Sequence, residues 1–217
     1  MEQYNQQKLN TELESFQNIW SGGYLTGYSE KRNQKGLERY LSENLSGKTF
    51  LEIGCGGGQW SKFIHDQGVF DVMYCIDALS EDHNNFWDNL GEQAKDTIDY
   101  KKVDNFSLDF IEDNSLDFVF SNPPYIRIGD ESVDELVRGN EPDTSLFSQQ
   151  NGFYDINKII NYSRKCLSKN GVLFLENGTG QTNNISAYLE LNDFTDIRVH
   201  IDYNGHDRFT SSRINNG

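Results

Sequence analysis

Four neighbouring residues have types that suit the binding of a planar nitrogen group: Asn122, Pro123, Pro124 and Tyr125. Two of the three prolines of the chain stand here. Consecutive prolines remove two backbone donors and fix φ, so the surrounding carbonyl oxygens are rigid and free to accept hydrogen bonds. The Asn122 side-chain oxygen and the Pro123 carbonyl can hold both N–H groups of an amide or amine, and Tyr125 can pack on the planar group. The alternative is a turn that only terminates a strand.

The second candidate is a glycine loop, Gly54-x-Gly56-x-Gly58, which stands between a predicted strand and a predicted helix. Glycine lets the backbone turn tightly and lets a ligand approach where a Cβ would collide. The dinucleotide fingerprint requires its third glycine two residues later, and Gln59 occupies that position, so NAD is the weaker interpretation. The alternative is a glycine-rich turn with solvated acids beside it.

Two carboxylates are predicted beside the same crevice. Glu52 stands near the end of the first predicted strand and Asp77 ends the second. Ligands of open α/β sheets bind at the carboxyl ends of the strands. Asp77 is placed where a carboxylate can accept hydrogen bonds from ribose hydroxyls.

The elements that must position these residues are strands that alternate with helices, which predicts an α/β fold with a doubly wound, mostly parallel, seven-stranded sheet. The last two strands are joined by only a few residues, so the final strand must run antiparallel. We expect one domain over 46–217, preceded by a short helical N-terminal extension over 1–45. Predicted strands cover 49–53, 72–76, 100–103, 116–120, 172–175, 197–201 and 208–210, and predicted helices cover about 59–67, 84–94 and 153–168.

Composition and charge exclude several classes of protein. Hydrophobic residues make up 35% of the 217 residues, enough for one core, and the formal net charge is −15. Such a charge disfavours nucleic acid as the main partner, because phosphate neutralisation by basic residues supplies most of that affinity. No apolar run is long enough for a membrane helix or a signal peptide, so we expect a cytoplasmic protein. The three cysteines lack the spacing of a zinc site, so no metal is expected.

The first half of the chain resembles the class I S-adenosylmethionine-dependent methyltransferases. In that family the glycine loop cradles the methionine end of the cofactor and the acid after the second strand binds the ribose. Asp104, followed by Asn105, matches the position that usually reaches the adenine edge. The resemblance implies S-adenosyl-L-methionine as cofactor, bound by Glu52, Gly54, Cys55, Gly56, Asp77, Ala78, Asp104, Asn105 and Asn122.

The second half, over roughly 116–212, resembles the peptide chain release factor glutamine methyltransferases. The shared motifs are Asn-Pro-Pro-Tyr, then Glu141-Pro142, an Asn-Gly-Phe-Tyr segment, a Leu-Glu-Asn-Gly segment followed by Gln181, and a closing Gly-His-Asp-Arg. This resemblance implies a protein substrate, a release factor, methylated on a glutamine side-chain amide. It further implies catalysis by residues 122–125 and substrate binding by Asn122, Pro123, Tyr125, Glu141 and Pro142.

Two other functions stay open. One is methylation of adenine N6 or guanine N2 in nucleic acid, which the charge disfavours, and the other is a catalytically silent adaptor with this fold.

Glu176, at the end of a predicted strand, is either a general base or a structural carboxylate. The acidic segment 129–135 is either a lid that attracts a basic partner or a solvated stretch. The oligomeric state is left open.

Overall fold

The computed structural model describes residues 47–103, 108–131, 143–201 and 205–215. The predicted N-terminal extension over 1–45 lies outside these ranges. Four predicted site residues also lie outside them: Asp104, Asn105, Glu141 and Pro142.

Nine strands lie in the described ranges, and seven of them form one sheet. In chain order the strands are β1 (Thr49–Ile53), β2 (Val72–Asp77), β3 (Ile98–Lys102), β4 (Leu116–Ser121), β5 (Ile126–Arg127), β6 (Phe147–Ser148), β7 (Leu167–Glu176), β8 (Phe194–Ile201) and β9 (Asp207–Ile214). The order in the main sheet is β3-β2-β1-β4-β7-β9-β8, while β5 and β6 form a separate parallel pair. The first five strands of the main sheet are mutually parallel, and β9 runs antiparallel to both β7 and β8. The predicted fold class and the antiparallel last strand are confirmed.

Helices connect the strands on both faces of the sheet. They are α1 (Gln59–Asp66), α2 (Phe86–Leu90), a 3₁₀ helix (Glu92–Asp96), α3 (Asp143–Leu146), α4 (Gln149–Gly152), α5 (Tyr154–Cys166) and α6 (Thr182–Leu191).

Successive side chains of the central strands point to opposite faces of the sheet, which divides the core into two layers. Phe50 of β1 and Phe118 of β4 point to the face covered by α1, where rings also come from β7 and β9. Leu51 and Val119, one residue further along each strand, belong to the opposite layer. That layer is completed by α5 and α6. Because side chains alternate with period two, each central strand is buried on both sides and reads as a continuous apolar run.

The structure corrects the predicted boundaries in several places. The predicted helix over 84–94 is interrupted at Gly91, whose φ of 90° cannot continue a helix, so α2 and a 3₁₀ helix replace it. Strand β3 begins at Ile98, which pairs with Met73, two residues before the predicted start. Strand β7 covers ten residues rather than four. Helix α6 was not predicted, because threonine and asparagines fill its first turn and favour helices weakly.

Candidate active site

The pairing of β1 with β4 brings the glycine loop and the Asn-Pro-Pro-Tyr loop together. Ile53 and Ser121, the last residues of the two strands, are register partners, and the Ser121 hydroxyl donates to the Ile53 carbonyl at 2.8 Å. The next residues are Gly54 and Asn122, so both loops leave the sheet from adjacent points. Asn122 is exposed while Pro123 is buried, which anchors the loop and leaves the amide of Asn122 accessible.

The glycine loop turns back over β2. The N–H groups of Gly54 and Cys55 both donate to the Ile76 carbonyl, at 2.8 and 3.0 Å. Gly54 and Gly56 adopt φ values of 76° and 50°, and a Cβ added at either position would meet nothing within 4 Å. The loop therefore presents open space on its outer side, as a cradle for a ligand requires.

Asp77 ends β2 and is tied to the glycine loop. Its Oδ2 accepts from the Gly56 N–H at 2.9 Å, and its Oδ1 accepts from the Leu79 N–H at 3.0 Å. Burial raises the pKa of Asp77, and these backbone hydrogen bonds oppose the rise. A carboxylate accepts as many as about four hydrogen bonds, so Asp77 could also accept a ribose hydroxyl. Ala78, the next predicted cofactor residue, is exposed.

Glu52 lies beneath the glycine loop rather than on its surface. It is 2% exposed, and its Oε2 accepts a hydrogen bond from the Ser61 hydroxyl of α1. The pKa of Glu52 is raised to about 8, because burial and, to a lesser extent, the nearby charge of Asp77 outweigh the Ser61 hydrogen bond, which lowers it. Glu52 thus joins β1 to α1 directly below the candidate cofactor site.

The cysteines near the site are buried and unreactive. Cys55 and Cys75 are free, buried thiols. Burial raises the pKa of Cys55 well above its usual value, and the Cys75 thiol donates to the Ser61 hydroxyl at 3.3 Å. A thiolate nucleophile is therefore not available at the glycine loop.

Tyr125 is held at its carbonyl oxygen and at its hydroxyl. The Gln181 side-chain NH₂ donates to the Tyr125 carbonyl at 2.9 Å, and the Gly178 N–H donates to the Gln181 side-chain oxygen at 2.8 Å. At the hydroxyl, Arg208 donates to Tyr125 at 3.0 Å and to Glu176 at 3.3 Å. Glu176 is therefore one half of an ion pair with Arg208.

Gly152 completes the support of this loop, and its role was missed by the sequence analysis. A Cβ at Gly152 would lie 2.1 Å from the Tyr125 carbonyl oxygen and 2.8 Å from the Gln181 side-chain nitrogen. Its φ of 89° is also in the region that favours glycine. The only sequence signal was the Asn-Gly pair that precedes α5, which indicates a turn but not its contact with Tyr125.

A pocket of about 300 Å³ lies beside the end of this loop. Tyr125 leads directly into β5, and the pocket opens between β5 and α4. Most of its lining is uncharged and polar, and comes from Arg127, Ile128, Ser148, Gln149, Gln150 and Asn151.

Neither a metal cluster nor a membrane-spanning helix is found in the described ranges. Within residues 47–103, 108–131, 143–201 and 205–215, no group of three His, Cys, Asp or Glu side chains could hold a metal ion. Among the helices of those same ranges, none is both long enough and apolar enough to span a bilayer.

Several known proteins resemble this chain in sequence or in fold. A family described as a methyltransferase domain matches residues 51–125, from β1 to Tyr125. A 1,6-didemethyltoxoflavin-N1-methyltransferase from Burkholderia thailandensis, solved with S-adenosylhomocysteine, has a similar fold, with a TM-score of 0.60, 11% identity, and coverage of 100% of this chain and 93% of that chain. The protein is a class I S-adenosylmethionine-dependent methyltransferase by fold.

A release factor glutamine methyltransferase from Lactococcus lactis is 32% identical over 205 residues, which cover 87% of this chain and 75% of that protein. The chain belongs to the release factor glutamine methyltransferase family.

Other relatives match over a smaller part of their length. A release factor glutamine methyltransferase from Francisella tularensis is 32% identical over 122 residues, which cover 56% of this chain and 43% of that protein. The chain spans about half the length of several curated relatives.

The residues present fit S-adenosylmethionine, the cofactor of this class. Gly54 and Gly56 have open space where side chains would stand, and the Asp77 carboxylate is fixed beside them. Small residues, exposed backbone and a carboxylate for hydroxyl groups are what a nucleoside with a charged amino-acid end requires.

Proposed function

We propose that this protein transfers a methyl group from S-adenosylmethionine to the side-chain amide nitrogen of a glutamine in a protein, with a peptide chain release factor as the acceptor. The observation that carries the proposal is the β1–β4 register, which starts the cofactor loop at Gly54 and the acceptor loop at Asn122 side by side. Membership of the family supports the choice of acceptor.

The cofactor side of the proposed site is formed by β1 and β2. Gly54, Cys55 and Gly56 would cradle the amino-acid end, while Asp77 and Ala78 would line the ribose. Glu52 would support the loop from below. Asp104 and Asn105, outside the described residues, remain proposed contacts to the adenine. When bound, S-adenosylmethionine supplies a methyl group that is attached to a positively charged sulfur, and that sulfur is a good leaving group.

The acceptor side of the proposed site is the Asn-Pro-Pro-Tyr loop. An amide nitrogen is a weak nucleophile, because its lone pair is delocalised into the carbonyl. The Asn122 side-chain oxygen and the Pro123 carbonyl would accept the two N–H groups, which orients the nitrogen and favours loss of its proton. Tyr125 would pack on the amide plane, Pro124 would keep the loop rigid, and Glu141 with Pro142 would support it. Such orientation lowers a barrier by as much as about 7–11 kcal/mol in favourable cases.

The mostly uncharged, polar lining of the pocket beside Tyr125 supports a peptide as the acceptor. Gln149 and Asn151 carry amide side chains that can both donate to and accept from a peptide backbone. The formal net charge of −15 would repel the phosphates of nucleic acid.

The test is transfer of a labelled methyl group from S-adenosylmethionine to a purified release factor, followed by mass spectrometry of the modified peptide. We expect one methyl group on the glutamine of its Gly-Gly-Gln loop, and no transfer to a release factor with alanine in place of that glutamine. Transfer instead to an RNA or DNA oligonucleotide, or to no acceptor in a lysate despite cofactor binding, would overturn the proposal.

A further inference from the structure

Arg208 meets the Asn-Pro-Pro-Tyr loop from the last strand of the sheet. It is the second residue of β9, and its guanidinium donates to the Tyr125 hydroxyl at 3.0 Å. The guanidinium carbon also lies 5.5 Å from the centre of the Tyr125 ring, within the range of a cation–π contact. One side chain therefore holds both the polar tip and the ring of Tyr125.

Glu176 fixes the direction in which Arg208 points. The Glu176 side chain is only 7% exposed and the Arg208 side chain 22%, and their closest atoms are 3.3 Å apart. A buried carboxylate needs a paired cation, because removal of that cation leaves the charge of the carboxylate uncompensated. The Tyr125 hydroxyl also lies 3.5 Å from the same Glu176 oxygen, so the three groups close a triangle.

A second set of contacts holds the backbone of Tyr125. Gln181 holds the Tyr125 carbonyl at 2.9 Å, and Gly152 approaches this carbonyl so closely that an added Cβ would lie 2.1 Å from its oxygen. Between Tyr125 and Asn122 stand two prolines, whose φ angles are fixed by their rings. The backbone between Tyr125 and Asn122 therefore has restricted freedom.

We propose that Arg208, paired with Glu176, is a positioning residue that acts through Tyr125 to hold the acceptor loop in its transfer-competent geometry. This inference rests on the proposed function, because the reaction that the loop serves is the methylation proposed above. Arg208 and Glu176 act on the rate of transfer and not on cofactor affinity, since the contacts that hold the glycine loop come from Ile76 and Asp77.

The test compares Arg208→Met with Arg198→Met. Arg198 is a cation of β8 whose side chain is 54% exposed and paired with Asp196. Steady-state transfer to a release factor is measured together with calorimetric cofactor binding. Because a small displacement of reacting groups is costly, we expect kcat to fall at least about tenfold in Arg208→Met, with cofactor Kd within about twofold. The Arg198→Met variant should match the native protein.

A second variant covers the case in which Arg208→Met fails to fold. Tyr125→Phe keeps the ring and removes only the hydroxyl that Arg208 contacts. We expect a lower kcat with unchanged cofactor Kd, and in a folded double variant we expect little loss beyond that of either single change. Independent effects that multiply, or a native kcat in Tyr125→Phe, would overturn the positioning role.

Hydrogen–deuterium exchange separates this inference from the proposed function. Exchange of the backbone amides over 125–128 should be faster in Arg208→Met and Tyr125→Phe than in Arg198→Met, whatever the acceptor. If the native protein methylates no glutamine and exchange is still faster, the proposed function fails and the contact stands. If the native protein methylates glutamine while kcat and exchange are unchanged in both variants, the inference is wrong.

Discussion

The Asp77 carboxylate accepts a hydrogen bond from the Gly56 N–H at 2.9 Å, so the end of β2 and the glycine loop are locked to each other. The same carboxylate caps the Leu79 N–H through its other oxygen. One side chain thus fixes the loop that would hold the amino-acid end of the cofactor and would present oxygens to the ribose.

Asp77→Asn should weaken cofactor binding, because the amide carries one acceptor oxygen where the carboxylate carries two. One of the two backbone N–H groups would then face an NH₂ group. Loss of a charged hydrogen bond costs about 1.5–3 kcal/mol, which corresponds to roughly a tenfold to hundredfold rise in Kd for S-adenosylmethionine by calorimetry. Asp99→Asn, an exposed carboxylate on β3, is the matched control. Equal affinities in the two variants would show that Asp77 does not serve the cofactor.

Gly152→Ala should destabilise the protein and displace the acceptor loop. The added Cβ would lie 2.1 Å from the Tyr125 carbonyl oxygen, in addition to the strain of a φ of 89°. We expect the free energy of unfolding, from denaturant titration, to fall by about 2–4 kcal/mol. Gly180→Ala separates the two causes, since φ there is 83° and the Cβ would meet nothing within 4 Å. A loss no larger than that of Gly180→Ala would contradict the close approach.

The raised pKa of Glu52 predicts that the free energy of unfolding decreases as the pH rises. Its pKa rises from 4.5 to about 8 on folding, so between these values the folded state keeps a proton that the unfolded state loses. Its contribution to stability is complete below pH 4.5 and is lost as the pH rises through about 8, with a slope of at most about 1.4 kcal/mol per pH unit. Glu52→Gln keeps an acceptor for Ser61 and should flatten this part of the profile.

The measurement is the free energy of unfolding at several pH values for the native protein, for Glu52→Gln and for Glu112→Gln. Glu112 is exposed on the loop before β4 and serves as the control. Parallel profiles for all three would show that Glu52 is ionised in the folded protein.

The sequence predicted the strands whose burial is continuous and the loops that follow them. β1 and β4 read as short apolar runs because both of their faces are covered, and their last residues lead into Gly54 and Asn122. Glycines and prolines at strand ends restrict the backbone so strongly that their positions indicate loops even in a single sequence.

The support of the acceptor loop could not be predicted in the same way. Arg208 and Tyr125 are 83 residues apart, and their contact depends on the antiparallel pairing of β9 with β7. Gln181 and Gly152 belonged to the motifs of the second half, but nothing in their types indicated that both meet the carbonyl of Tyr125. Such contacts arise from tertiary packing, which local patterns do not encode.

The most direct test of the central claim is Asn122→Ala, measured for cofactor affinity by calorimetry and for methyl transfer to a release factor, with Asn161→Ala on the exposed face of α5 as control. Removal of one group that orients a reacting centre lowers kcat by about 100-fold or more in comparable sites. We predict such a loss of transfer in Asn122→Ala, with cofactor Kd within a few-fold of native. Native rates of transfer in Asn122→Ala, or loss of cofactor binding together with transfer, would contradict the account.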